Sequence, residues 1–164
     1  MDYAVPMLFA LFAAEILAAT VWWPPYFRHG LLVYRDSTPL GQTSTSMPSV
    51  EDLTAAFRGG WGPSLAFRSI GIEEVAFRET FFELRLFTYT PVMHGLVRIE
   101  PGTQHVEVEG RANWFSLVFT VLAAAFVWER SEAWPVLIFL AALLGGIYKF
   151  QGTRFRRVGE FVGA

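Results

Sequence analysis

An acid inside an apolar run has the strongest claim to chemistry in this sequence. Glu15 is the one charged residue between Tyr3 and Trp23, and a carboxylate in the middle of hydrocarbon costs on the order of 3 kcal/mol. Two roles suit it: hydrogen-bonding glue between helices or a partner protein, and a relay for protons or ions. Packing is the expectation, because Ala10, Ala14 and Ala18 recur every four residues beside Glu15, and Ala141/Gly145 and Ala142/Gly146 repeat that spacing near the other end of the chain. Counting along the apolar runs from their ends puts Thr120 and Gly145-Gly146 at the depth of Glu15, with the carboxyl group either protonated or held in hydrogen bonds inside the bundle.

A second group is cationic. Lys149, Arg154, Arg156 and Arg157 follow the last apolar run, where each could draw an anionic lipid headgroup by roughly 1 kcal/mol or simply fix the topology. The remaining candidates lack the geometry of known chemistries. His29, His94 and His105 are scattered without metal-ligand spacing. Gly59-Gly60-Trp61-Gly62 lacks the Lys-Ser/Thr of a phosphate loop and reads as a helix C-cap. No nucleophile elbow, zinc-protease motif or dinucleotide fingerprint occurs, and the absence of cysteine removes thiol chemistry and disulfides. No catalytic residue, metal site or cofactor is therefore expected.

The elements that must hold these residues follow from composition. Hydrophobic residues make up 53% of the 164 and charged residues 17%, with a mean hydropathy of +0.36. Typical soluble domains carry about a quarter charged residues, so the balance points to a membrane and excludes a disordered chain or a nucleic-acid binder; the net charge of −2 agrees. Three apolar runs read as transmembrane helices: 3–23, with Pro6 in its first turns and Pro24-Pro25 stopping it, then 114–128 and 134–148. The last two reach about 17 residues each only when flanking positions are added, and Trp and Tyr at their ends suit interfacial belts. Residues 149–164 read as a basic C-terminal tail.

Residues 24–113 hold nearly all the polar sequence and read as a small β-rich domain with one short helix. Strands are expected at 30–35, 64–68, 74–78, 81–89, 95–100 and 105–109, bounded by turn residues. The segment 36–47 reads as a loop, and Ser49 with Asp52 as a capping box for the short helix. In the last strand Val106 and Val108 alternate with His105, Glu107 and Glu109, the mark of a sheet with one wet face. Ala-Phe-Arg recurs at 56–58, 66–68 and 76–78, but its copies fall on different elements, so no repeat is inferred. The fold class expected is a membrane protein of α+β type, with three transmembrane helices and an antiparallel β-rich domain inserted between helices 1 and 2.

Arg28, Arg35, Arg98, Arg111 and the four cations of the tail lie on one side of these helices, against Arg130 on the other. The positive-inside rule then puts the domain and C-terminus in the cytoplasm and the N-terminus outside, in a plasma (inner) membrane. The functional expectation is a non-enzymatic accessory subunit or scaffold, whose partners are the bilayer and either a membrane protein or further copies of itself. The alternatives are a membrane-anchored module for lipid or peptide, and an ion- or proton-handling protein using Glu15.

Overall fold

Alternation along residues 105–112 sets the architecture. Val106 and Val108 are buried on one side of the strand while Glu107 and Glu109 project from the other, and the neighbouring strands follow the same period of two. The structure is a computed structural model that describes residues 4–41, 47–59, 63–80, 92–100, 104–128 and 134–164. In chain order the elements are α1 (Ala4–Thr20), α2 (Pro24–Arg28), β1 (Leu32–Pro39), α3 (Val50–Ala56), β2 (Leu65–Ser69), β3 (Glu74–Glu79), β4 (Met93–Glu100), β5 (His105–Ala112), α4 (Trp114–Trp128) and α5 (Trp134–Gly163). The strands form one antiparallel sheet in the order β1-β5-β4-β3-β2, with Val97 opposite Val108 and Phe67 opposite Phe77.

One face of the sheet carries the main core. Phe67, Val75, Phe77, Met93, Val97, Val106 and Val108 pack there against Leu53 of α3 and Phe155, Val158 and Val162 of α5. Each fully buried side chain of this size contributes about 1.5–3 kcal/mol. Rings run across this face in a row: Phe57 to Phe67 at 5.7 Å, Phe67 to Phe77 at 5.6 Å, Phe77 to Phe155 at 4.7 Å and Phe155 to Tyr34 at 5.9 Å. The three Ala-Phe-Arg triplets thus supply three consecutive rings of one row, from α3's end, β2 and β3. At Gly95 the partner is a ring instead of a side chain, because a Cβ there would stand 2.1 Å from Phe77.

The opposite face is divided. Ala76 is covered by Ala18 and Ala19 of α1 and by Tyr26 and Phe27 of α2. Beyond them the face holds a ladder of charges, in which Arg35 pairs with Glu107, Arg98 with Glu109 at 2.8 Å, and Arg111 with the same Glu109 at 2.6 Å.

The expectation of three membrane spans is corrected. Among the described residues only α5 is long and apolar enough to cross a membrane. The 17 residues of α1 and 15 of α4 rise about 26 and 22 Å, short of a hydrocarbon core of about 30 Å. The flanks that lengthened them in the sequence belong to other structures. Trp22 turns the chain with φ 56, Pro24-Pro25 open α2 rather than close α1, and β5 hands over to α4 through Asn113 alone.

Residues 149–163, read above as a tail, continue the same helix. Gln151, Phe155, Val158 and Val162 make a stripe on the sheet, and Gly163 lets the helix end close in, where a Cβ would lie 2.9 Å from the Pro39 carbonyl. β1 also extends into the expected loop, taking residues up to Pro39, and β4 begins at Met93. Ser49 caps α3 as read, its Oγ accepting from the Asp52 N–H at 3.1 Å, while the Asp52 carboxylate accepts from the Ser49 hydroxyl at 2.7 Å. The expected strand 81–89, residues 42–46 of the expected loop, Gly60-Trp61-Gly62 and the turn 129–133 lie outside the described residues.

Candidate functional site

The first backbone N–H groups of a helix have no acceptor within it. At the start of α4 the acceptor comes from another helix: Glu15 of α1, itself 5% exposed. Its Oε1 accepts from the N–H of Trp114 at 2.8 Å and from the Tyr26 hydroxyl at 2.8 Å, and its Oε2 accepts from the N–H of Phe115 at 2.8 Å. A negative charge is also favoured there by the helix dipole. Phe12 and Phe115, 5.0 Å apart, continue the contact between the two helices.

The C-terminal end of α1 is fastened in the complementary way. Arg78 of β3 donates from Nε to the Ala19 carbonyl at 3.1 Å, and its guanidinium sits 5.0 Å from the Trp22 ring centre. Burial lowers the pKa of Arg78 from its ordinary value.

Beneath Glu15 the polar groups form a closed circuit. Tyr26 stacks on His94 with ring centres 4.1 Å apart; His94 Nε2 lies 3.0 Å from the Tyr26 carbonyl and Nδ1 3.0 Å from Asn113 Oδ1. The Tyr26 hydroxyl is 3.4 Å from the same Oδ1. A carbonyl only accepts, so Nε2 carries a proton. Burial pushes the His94 pKa down to about 4, with its two hydrogen bonds opposing. Burial, reinforced by Glu15, pushes the Tyr26 hydroxyl well above its ordinary value.

A second buried cluster docks α5. Gln151 Oε1 accepts from the N–H of Val92 at 3.0 Å, and its Nε2 donates to Glu79 at 3.1 Å. Glu79 in turn pairs with Arg154 at 2.5 Å, and Arg154 also donates to the Pro63 carbonyl.

Of the residues singled out from sequence, Glu15 is at the foot of the helix pair rather than beside Thr120 and Gly145-Gly146. Thr120 donates to the Ser116 carbonyl at 2.6 Å and is exposed; a Cβ at Gly145 or Gly146 would meet nothing within 4 Å. Thr120 and Gly145 share the wall of a shallow cleft of about 280 Å³ between α4 and α5. The four cations divide. Lys149, Arg156 and Arg157 line one groove with Tyr34 and Tyr148, whereas Arg154 turns inward to Glu79. His29 and His105 are exposed, and among the described residues no three acids or imidazoles converge as a metal site.

Sequence reasoning missed Tyr26, Asn113, Glu79 and Gln151, and weighed His94 only as a metal ligand. Asn113, directly before an apolar run, stood at an N-cap position and was the one with a local signal. Comparison with known protein families, with curated proteins and with solved structures finds no match.

Proposed function

We propose that this protein is a membrane-seated, non-enzymatic accessory subunit or scaffold whose sheet domain meets a partner protein at the bilayer surface. The observation that carries the reading is the apolar surface left open on α1, α4 and the first half of α5. Met7, Phe9, Leu17, Val121, Trp128, Val136, Ile138 and Phe139 are each more than half exposed. A patch of that extent marks a membrane or protein contact. By length and composition α5 is the one candidate span among the described helices, and Trp134 and Tyr148 bracket its apolar half as interfacial residues do. The basic residues on the domain side favour a cytoplasmic sheet and C-terminus in an inner membrane. Over the buried Glu107 and Glu109 of the charge ladder, Arg35 and Arg98 remain open and offer a partner a basic face. Proton or ion handling by Glu15 is the weaker reading, since three donors of the same chain occupy its oxygens.

The test is fractionation of the full chain with a reporter joined after Ala164, followed by purification in mild detergent. The expected result is retention in membranes after an alkaline wash, cytoplasmic reporter activity and a companion protein, or a second copy, at fixed stoichiometry. Release into the wash defeats the membrane seat; external reporter activity defeats the orientation; a monomer without a companion defeats the subunit role.

A further inference from the structure

Two hollows meet at Tyr148. On one side of it is the apolar cleft between α4 and α5, walled by Val33, Leu117, Leu144 and Gly145; on the other is the groove of about 490 Å³ that holds Lys149, Arg156 and Arg157. Tyr148 lines both, and its hydroxyl donates to the Val33 carbonyl at 2.8 Å, which fixes the residue at the boundary. The groove is lined by one acid, Glu160, which pairs with Arg156 at 3.0 Å; Asp36 borders it, accepting the Tyr34 hydroxyl at 3.3 Å and acting on Arg156, so three cations face two acids. Among the described residues Lys149 and Arg157 have no ion-pair partner, so the groove keeps a positive balance. At 1.5 Å per residue, Lys149 to Arg157 spans about 12 Å along α5, enough to cross the headgroup layer of about 5–8 Å beside the hydrocarbon core.

We infer that the two hollows form one binding site for an anionic phospholipid, with an acyl chain in the cleft and the phosphate group in the basic groove. The occupant follows from the order of the walls. A phosphate is what two unpaired cations attract, and the apolar cleft continuing from the same tyrosine takes the tail attached to it. The open space at Gly145 belongs to the cleft; that at Gly146, the next residue, does not. The site rests on the membrane seat proposed above.

The test uses the purified full chain in mild detergent, with native mass spectrometry reading retention of phosphatidylglycerol against phosphatidylcholine. Phosphatidylglycerol should be retained in preference, and millimolar inorganic phosphate should not displace it. Lys149→Gln and Arg157→Gln should each lower its retention about fivefold. Gly145→Leu should fill the cleft and reduce retention of both lipids, while Gly146→Leu keeps the wild-type pattern. Equal retention of the two lipids by the wild type overturns the site, as does a Gly145→Leu protein that matches Gly146→Leu. Displacement by inorganic phosphate assigns the groove to free phosphate and overturns the lipid. A chain that stays in washed membranes yet fails these comparisons loses this site alone; one released by the wash loses the seat itself.

Discussion

The ring of Phe77 occupies the space that a side chain at Gly95 would need, its nearest atom 2.1 Å from where a Cβ would stand. The two residues are register partners on β3 and β4, so the missing side chain on one strand is what admits the ring of the other. Phe77 then joins the aromatic row to Phe155 of α5, and the sheet gains a helix contact at the point where its own surface is thinnest.

Gly95→Ala should therefore destabilise the protein by about 1–3 kcal/mol through overpacking. Thermal melting of the detergent-solubilised chain measures it. Adding Phe77→Leu should recover part of the loss in the Gly95→Ala background while harming the wild type, and equal effects in both backgrounds would show that the two side chains do not compete.

Glu15→Leu leaves the N–H groups of Trp114 and Phe115 and the Tyr26 hydroxyl without their acceptor. Two or three unsatisfied donors of this kind cost about 2–4 kcal/mol. Glu15→Gln keeps an oxygen for Trp114 and Tyr26 but turns an NH2 toward the Phe115 N–H, and should cost about 1 kcal/mol. The melting order expected is wild type, then Gln, then Leu. A Leu variant as stable as the wild type would show that the helix start finds acceptors elsewhere.

His94 gives the fold a pH dependence of defined sign. Its folded pKa of about 4 lies below the ordinary 6.5, so between those values the unfolded chain binds the proton and the folded one does not. Stability is complete above pH 6.5 and falls as the pH drops toward 4, by up to about 3 kcal/mol. Melting curves at pH 7 and pH 4.5 for wild type and His94→Gln separate this from the carboxylates. The variant should lose less on acidification, and parallel losses would remove His94 from the account.

The legible parts of the fold were those with a local period or cap. Val106 and Val108 alternate in full, and Ser49 and Asp52 stand three apart, so β5 and the start of α3 could be read directly. Pro24-Pro25 misled because a proline pair both ends one helix and opens the next, and only the left-handed turn at Trp22 decides between them. The second half of α5 was hidden by its charges: Lys149, Arg154, Arg156 and Arg157 drew the eye while Gln151, Phe155, Val158 and Val162 carried the stripe. Glu15 was read as a packing residue, but equal counts along the apolar runs were taken as equal depths, which paired it with Thr120 and Gly145. The helices are staggered instead, and the carboxylate meets the first N–H groups of α4. The circuit of Tyr26, His94 and Asn113 joins α2, β4 and the end of β5, a juxtaposition that no spacing in the chain encodes.

The cap on α4 also sets an order of events during synthesis. Glu15 is made 99 residues before Trp114, an interval of about 5–20 s at ribosomal speeds of 5–20 residues per second. Tyr26, only 11 residues later, is the first donor to arrive, and until the sheet is complete it is the sole one of the three. During that wait two of the carboxylate's three donor positions are left to water, so the final packing of α1 waits on α4. A helix made late in the chain thus completes the surroundings of one made first.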